Sequence, residues 1–144
     1  MNIILGKDPL IDKFVNYIMQ DGKKSLALLL NDTFSQIEAK GQKRPLEIFQ
    51  KALENVMPKI EVRPKRVGGS IYQVPQEVKP KRQLFLAARW ILDSARGKKG
   101  IDFAKALSSE LIDAANETGN AVKKKLEVYK MAEANKAFAR FANR

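Results

Sequence analysis

The sequence predicts a mainly α protein, a six-helix bundle with a protruding two-stranded β-ribbon between helices 3 and 4. Three observations carry this. Apolar residues recur at three- and four-residue spacings along most of the 144 residues, the mark of amphipathic helices. Between residues 59 and 79 that period gives way to two β-favouring runs, 60–67 and 71–78, joined at Gly68-Gly69-Ser70. Adjacent glycines supply the positive φ values that a tight hairpin turn demands. Finally, Pro, Gly and Asp stand where the helices need to start and stop. The length fits a single domain, 1–144, large enough to bury roughly two-thirds of its unfolded surface.

Taken in order, Asp8-Pro9 suits a helix start, since Asp caps and Pro fits the first helical position. Ile11, Phe14, Val15 and Ile18 make its apolar stripe, and Asp21-Gly22 ends it. A second helix from about Lys23 carries Leu26, Leu29, Leu30, Thr33, Phe34 and Ile37 on one face, with Gly41 as its C′ residue. The third begins at Pro45, buries Leu46, Phe49, Leu53 and Val56, and stops by Met57 because Pro58 follows. Each ribbon run contains a proline, Pro64 and Pro75, which is tolerable because both strands of a lone ribbon are edges. Such a ribbon is marginal in water by itself, so a charged one invites a polyanion to order it.

The fourth helix is expected over 82–96, with Leu84, Ala88, Ile91 and Ala95 inward, Phe85 and Trp90 nearby, and Gly97 at its end. Asp102 is the expected cap of a fifth, which carries Phe103, Leu107, Leu111 and Ala115 and closes near Gly119. The last runs from about Asn120 to the C-terminus, with Val122, Leu126, Tyr129, Phe138 and Phe141 as apolar contacts. Aromatic residues at these spacings are expected in the core.

The formal charge is +11, and it is concentrated. Residues 59–100 hold 11 bases against 3 acids, while 1–58 and 101–144 are nearly balanced. A patch of this kind points to nucleic acid first and to an anionic membrane second. With no cysteine and no histidine, disulfides, thiolate or imidazole metal sites, and histidine-based proton transfer are excluded. No cofactor and no catalytic residues are expected: the carboxylates are scattered, and Gly68-Gly69 is not followed by the Lys-Ser/Thr and helix of a phosphate-binding loop. No apolar run approaches the roughly 18 residues that would span a bilayer, and the first ten residues do not have the form of a targeting peptide. A soluble protein with no membrane partner is expected.

Candidate anion sites follow from charge and position. The ribbon and its base carry Lys59, Arg63, Lys65, Arg66, Lys79, Lys81 and Arg82. Arg82, Arg89 and Arg96 recur every seven residues, nearly two turns, and so share one side of the fourth helix. Arginine's planar fork suits phosphate, although Arg89 is also placed to pair with Asp93 four residues on. Lys23-Lys24 and Lys123-Lys124-Lys125 sit near helix starts, where cations oppose the helix dipole and a bound phosphate would turn that penalty into attraction. The ribbon tip differs: Val67, Gly68, Gly69, Ser70, Ile71 and Tyr72 are mostly small or apolar, fit for close approach to a backbone without a strong grip.

Residues 52–96, ALENVMPKIEVRPKRVGGSIYQVPQEVKPKRQLFLAARWILDSAR, together with MQDGKKS at 19–25 and AVKKKLEVYKMAEANKAFARF at 121–141, resemble the small-subunit ribosomal protein seven family of bacterial type. The resemblance implies a six-helix fold with a β-ribbon and direct binding to the 3′ major domain of small-subunit rRNA, where the protein starts head assembly. It implies that the ribbon tip lies beside exit-site tRNA and near mRNA, with ribosomal proteins nine and eleven as neighbours. A ribosomal location, in bacterial cytoplasm or an organelle, is expected. On this mapping Lys23, Lys24, Lys59, Arg63, Lys65, Arg66, Lys79, Lys81, Arg82, Arg89, Arg96, Lys123 and Lys124 face rRNA. The chain departs from the family in having only Lys7 ahead of its first helix, Tyr129 where histidine is common, and 19 Lys to 8 Arg. The alternative reading of the residues is a DNA-bending protein with a basic β-arm in the minor groove, Val67 and Ile71 serving as wedges.

Overall fold

The computed structural model describes residues 9–18, 23–41 and 44–143. Six α-helices follow one another, α1 (Pro9–Ile18), α2 (Lys23–Ala39), α3 (Pro45–Val56), α4 (Pro80–Arg96), α5 (Phe103–Ala115) and α6 (Gly119–Ala134), and a C-terminal 3-10 helix covers Lys136–Asn143. Between α3 and α4 lies an antiparallel hairpin of β1 (Ile60–Val67) and β2 (Ser70–Glu77). The predicted class and order hold. The expected cap Asp8 and the stop at Asp21-Gly22 lie outside the described residues, as do the side chains of Val15, Ile18 and Leu26.

Helix α5 is the central element, packing against α2, α3, α4 and α6. Small residues make this possible: Ala104, Ala106, Ala114 and Ala115 are buried beside Leu107 and Leu111, so the neighbouring helices approach its axis closely. Phe49 of α3 meets Phe14 of α1 edge-on at 5.0 Å and Phe34 of α2 at 5.8 Å, an arrangement that suits the ring quadrupoles. These rings are fully buried.

Local chemistry explains most boundaries. Gly41 has φ +87°, as its C′ role requires. Pro45 and Pro80 each occupy a first helical turn, so α4 starts two residues before the expected Arg82. In the hairpin Gly68 and Gly69 have φ +60° and +86°, and Val67 pairs with Ser70. The turn is therefore two residues long, of the I′ kind, and Ser70 belongs to the ladder rather than to the turn. Because hydrogen-bonded and open pairs alternate from this closing pair, Pro64 (opposite Gln73) and Pro75 (opposite Val62) both fall on open pairs. Neither proline costs the ladder a bond.

Three expectations are corrected. Gly119 opens α6 instead of closing α5, whose left-handed exit residue is Glu117 at φ +59°. A Cβ on Gly119 would sit 2.9 Å from the Asp113 Cβ, so close helix contact as well as φ +91° keeps glycine there. Leu126, expected as an apolar contact, is 55% exposed. The last α-helix also ends at Ala134, and the residues beyond it tighten to a 3-10 helix that puts Phe138 and Phe141, three apart, on one side. These rings pack on Tyr72 of β2 at 4.9 and 5.3 Å rather than in the bundle core. The ribbon thus rests on the C-terminal segment and is not a lone hairpin awaiting a ligand.

Candidate nucleic-acid interface

The arm joins the body through a small polar lock. Glu61, the one acid of β1, is 8% exposed. Its Oε1 lies 3.0 Å from Arg63 Nε, and Arg82 Nε of α4 donates to Oε1 at 3.1 Å and to Oε2 at 3.3 Å. One carboxylate therefore sets two guanidinium groups side by side, each still 40–50% exposed. On the opposite side the Lys59 amide donates to the Tyr129 hydroxyl of α6 at 2.8 Å. Val78 N donates to Lys59 O at 3.1 Å, prolonging the ladder to the point where α4 begins.

From this joint a row of cations runs onto α4. A shallow hollow lined by Lys59, Glu77, Val78, Lys79 and Gln83 adjoins one lined by Lys79, Lys81, Arg82 and Phe85, which in turn adjoins one lined by Phe85, Arg89, Asp93 and Arg96. Lys79 and then Phe85 are the shared walls, so base, helix start and helix flank form one surface. Lys59, Lys79 and Lys81 are exposed, and their ammonium groups have no ion pair or hydrogen bond among the described residues. Arg89 and Arg96 lie 3.7 and 3.9 Å from the Asp93 carboxylate. Pairs this long and this exposed are worth about 0–1 kcal/mol, little enough to give way to a phosphate. The predicted pairing of Arg89 with Asp93 is present.

The remaining predicted residues separate into three groups. Lys65 donates to the Ala142 carbonyl at 3.1 Å, which ties the mid-arm to the C-terminal segment. Its ladder partner Tyr72 makes the ring contacts described above, so Tyr72 anchors the arm while Arg66, Gly68, Gly69, Ser70 and Ile71 are exposed at its end. Val67 is half-buried. On α6, Lys123 and Lys124 are exposed, but Lys125 turns inward and donates to the Asn55 carbonyl at 2.7 Å, near the end of α3. The α6 N-terminus is already served: Ala121 N donates to Oε1 of buried Glu110 at 3.0 Å, while Lys98 Nζ is 3.4 Å from Oε2. Lys23 and Lys24 open α2, and their side chains lie outside the described residues.

Sequence reasoning gave Glu61 no role, placed Phe85 only near the apolar face of its helix, and grouped Lys125 with Lys123 and Lys124. A single acid inside a basic strand was a usable signal for Glu61. Nothing local distinguished Lys125 from Lys123 or Lys124, since its direction depends on where α3 ends. Among the described residues there is no cluster of His, Cys, Asp and Glu fit to hold a metal ion, and no helix is long and apolar enough to cross a membrane.

The family model described as ribosomal protein S7p/S5e matches residues 4–136. The chain is 52% identical over 132 residues to small ribosomal subunit protein uS7 of Thermoanaerobacter sp. (strain X514), covering 91% of this chain and 85% of the relative. With the uS7 protein of Methylocella silvestris it shares 52% identity over 135 residues, 93% of this chain and 86% of the relative. With that of Salinibacter ruber it shares 51% over 137 residues, 94% and 87%.

Proposed function

The chain belongs to the ribosomal protein S7p/S5e family, and from that membership we propose that it binds the 3′ major domain of small-subunit rRNA directly and starts assembly of the head. Its role in the small ribosomal subunit is structural and non-enzymatic. The observation that carries the rRNA reading is the continuous cationic surface from Lys59 through Lys79, Lys81 and Arg82 to Arg89 and Arg96. A flat row of half-exposed guanidinium and free ammonium groups fits a folded RNA backbone, where phosphates are spaced along a path rather than gathered in a pocket. Arg63 stands beside Arg82 on Glu61, Arg66 is exposed near the end of the arm, and Lys123 and Lys124 are exposed on α6.

The exposed end of the arm supports the finer part of the proposal, that it lies beside exit-site tRNA and the mRNA path. Residues 66–71 carry one cation, two glycines and an exposed Ile71, which favours contact weak enough to release. Ribosomal proteins nine and eleven are the proposed neighbours in the head and platform.

Filter binding to a transcript of the 3′ major domain tests the reading. If about 6–10 phosphates are engaged, affinity falls roughly 10³–10⁵-fold between about 50 and 200 mM salt. Duplex DNA of equal length binds far more weakly, because shape and 2′-hydroxyl groups carry recognition of RNA. A flat salt response, or equal affinity for DNA, overturns the proposal.

A further inference from the structure

The arm is held to the body at two heights. At its base the Glu61 carboxylate accepts from Arg82 Nε of α4, and the Lys59 amide donates to the Tyr129 hydroxyl of α6. Higher up, the Tyr72 ring packs on Phe138 at 4.9 Å and on Phe141 at 5.3 Å, and Lys65 Nζ donates to the Ala142 carbonyl at 3.1 Å. The C-terminal segment that makes this upper hold is itself braced. Phe138 N donates to the Asn135 carbonyl at 2.9 Å, and the Arg140 guanidinium lies 5.0 Å from the Phe141 ring centroid. Lys65 and Tyr72 are ladder partners, and each lies an even number of residues from the Glu61–Gln76 pair, so Glu61 and Tyr72 stand on one face of the ribbon. Four residues of β1 separate the two holds, about 14 Å at roughly 3.4 Å per residue, whereas only two further pairs, about 7 Å, stand beyond the upper one. A two-stranded ribbon has no further strand to stiffen it. With its base alone as a pivot, a swing of about 20° would carry the arm's end, about 20 Å away, through about 7 Å.

We propose that the C-terminal 3-10 helix is a strap that fixes where the arm's end stands relative to the body, with Tyr72, Phe138 and Phe141 as positioning residues for the tRNA contact of residues 66–71. The strap follows from the contacts above; its service to a ligand rests on the reading of the arm's end as the part beside exit-site tRNA. Weak contacts depend on placement more than strong ones do. An end with one cation and two glycines has little attraction to spend on ordering itself, and holding it in place beforehand removes that cost from binding. The cations at the base are set by Glu61 and need no strap. Anchoring on rRNA and placement of the arm's end are therefore served by different residues.

The test uses the full chain, which has no cysteine of its own. Ser70→Cys at the arm's end and Lys105→Cys on α5, both exposed, give two sites for nitroxide labels. Distances between the labels, measured by double electron–electron resonance, should form one narrow distribution in the otherwise unaltered chain. Phe138→Ala with Phe141→Ala should widen it by about 5 Å or more, the scale of the swing worked out above. Phe138→Tyr with Phe141→Tyr keeps both rings and should keep it narrow. If the alanine variant does not fold, Tyr72→Thr removes the same ring contacts from β2 and carries the same expectation. Without labels, the alanine variant should bind the 3′ major domain transcript within a few-fold of the parent chain, while subunits assembled with it should retain exit-site tRNA several-fold less well. A distribution as narrow in the alanine variant as in the parent overturns the strap. A widened distribution with unchanged tRNA retention upholds the strap and overturns the reading of the arm's end, so the two failures are distinct.

Discussion

Glu61 and Arg82, 21 residues apart, meet where the arm leaves the body, with Arg82 Nε 3.1 Å from one carboxylate oxygen and 3.3 Å from the other. The contact makes an acid useful on a surface that otherwise gathers cations. Removing a negative charge from such a face raises its positive potential, which by itself tightens RNA binding. If Glu61 positions Arg63 and Arg82, the sign reverses. Glu61→Gln should weaken binding to the 3′ major domain transcript several-fold, although net charge rises by one, and should lower stability by about 1 kcal/mol. Tighter binding by Glu61→Gln would show that the guanidinium groups need no holding.

The arm divides at the Lys65–Tyr72 pair. Below it, Lys65 and Tyr72 fasten the ribbon to the C-terminal 3-10 helix; above it the chain is mostly exposed. Replacing Arg66 to Ile71 by Asn-Gly closes a two-residue turn on that pair and keeps the strand register. Binding to isolated rRNA should remain within a few-fold of the parent chain. Retention of exit-site tRNA, or reading-frame maintenance on assembled subunits, should change. A loss of rRNA binding as deep as that caused by neutralising Lys79, Lys81 and Arg82 would make the arm's end an anchor instead.

Three adjacent lysines of α6 should behave differently. Lys123→Gln with Lys124→Gln should weaken rRNA binding and leave the melting temperature unchanged, since both side chains are exposed. Lys125→Gln should do the opposite, costing about 1 kcal/mol of stability because the Asn55 carbonyl loses its charged donor. Thermal melts and filter binding on the two variants separate the roles. Equal melting temperatures for both would remove Lys125 from the fold.

Helix periods, turn chemistry and charge density are properties of near neighbours, and they are the part of this protein legible in its sequence. Pro45 and Gly41 mark helix ends because φ restriction and φ freedom act on a residue and its immediate flanks. Gly68-Gly69 specify a hairpin for the same reason, and seven-residue spacing suffices to align Arg82, Arg89 and Arg96. The family resemblance likewise rests on contiguous motifs.

What the tertiary structure alone decided are pairings between residues far apart in the chain, each chosen from many equivalent partners. Glu61 had several bases within reach of its strand, and only the approach of the start of α4 to this side chain selected Arg82. Phe138 and Phe141 had the spacing of core residues, and only the change to a 3-10 helix after Ala134 aimed both at Tyr72. Gly119 looked like a helix stop, yet the approach of Asp113 and Glu110 made it a helix start. A side chain's type states what it is able to bind; its partner depends on where separate elements pack, which the local pattern does not encode.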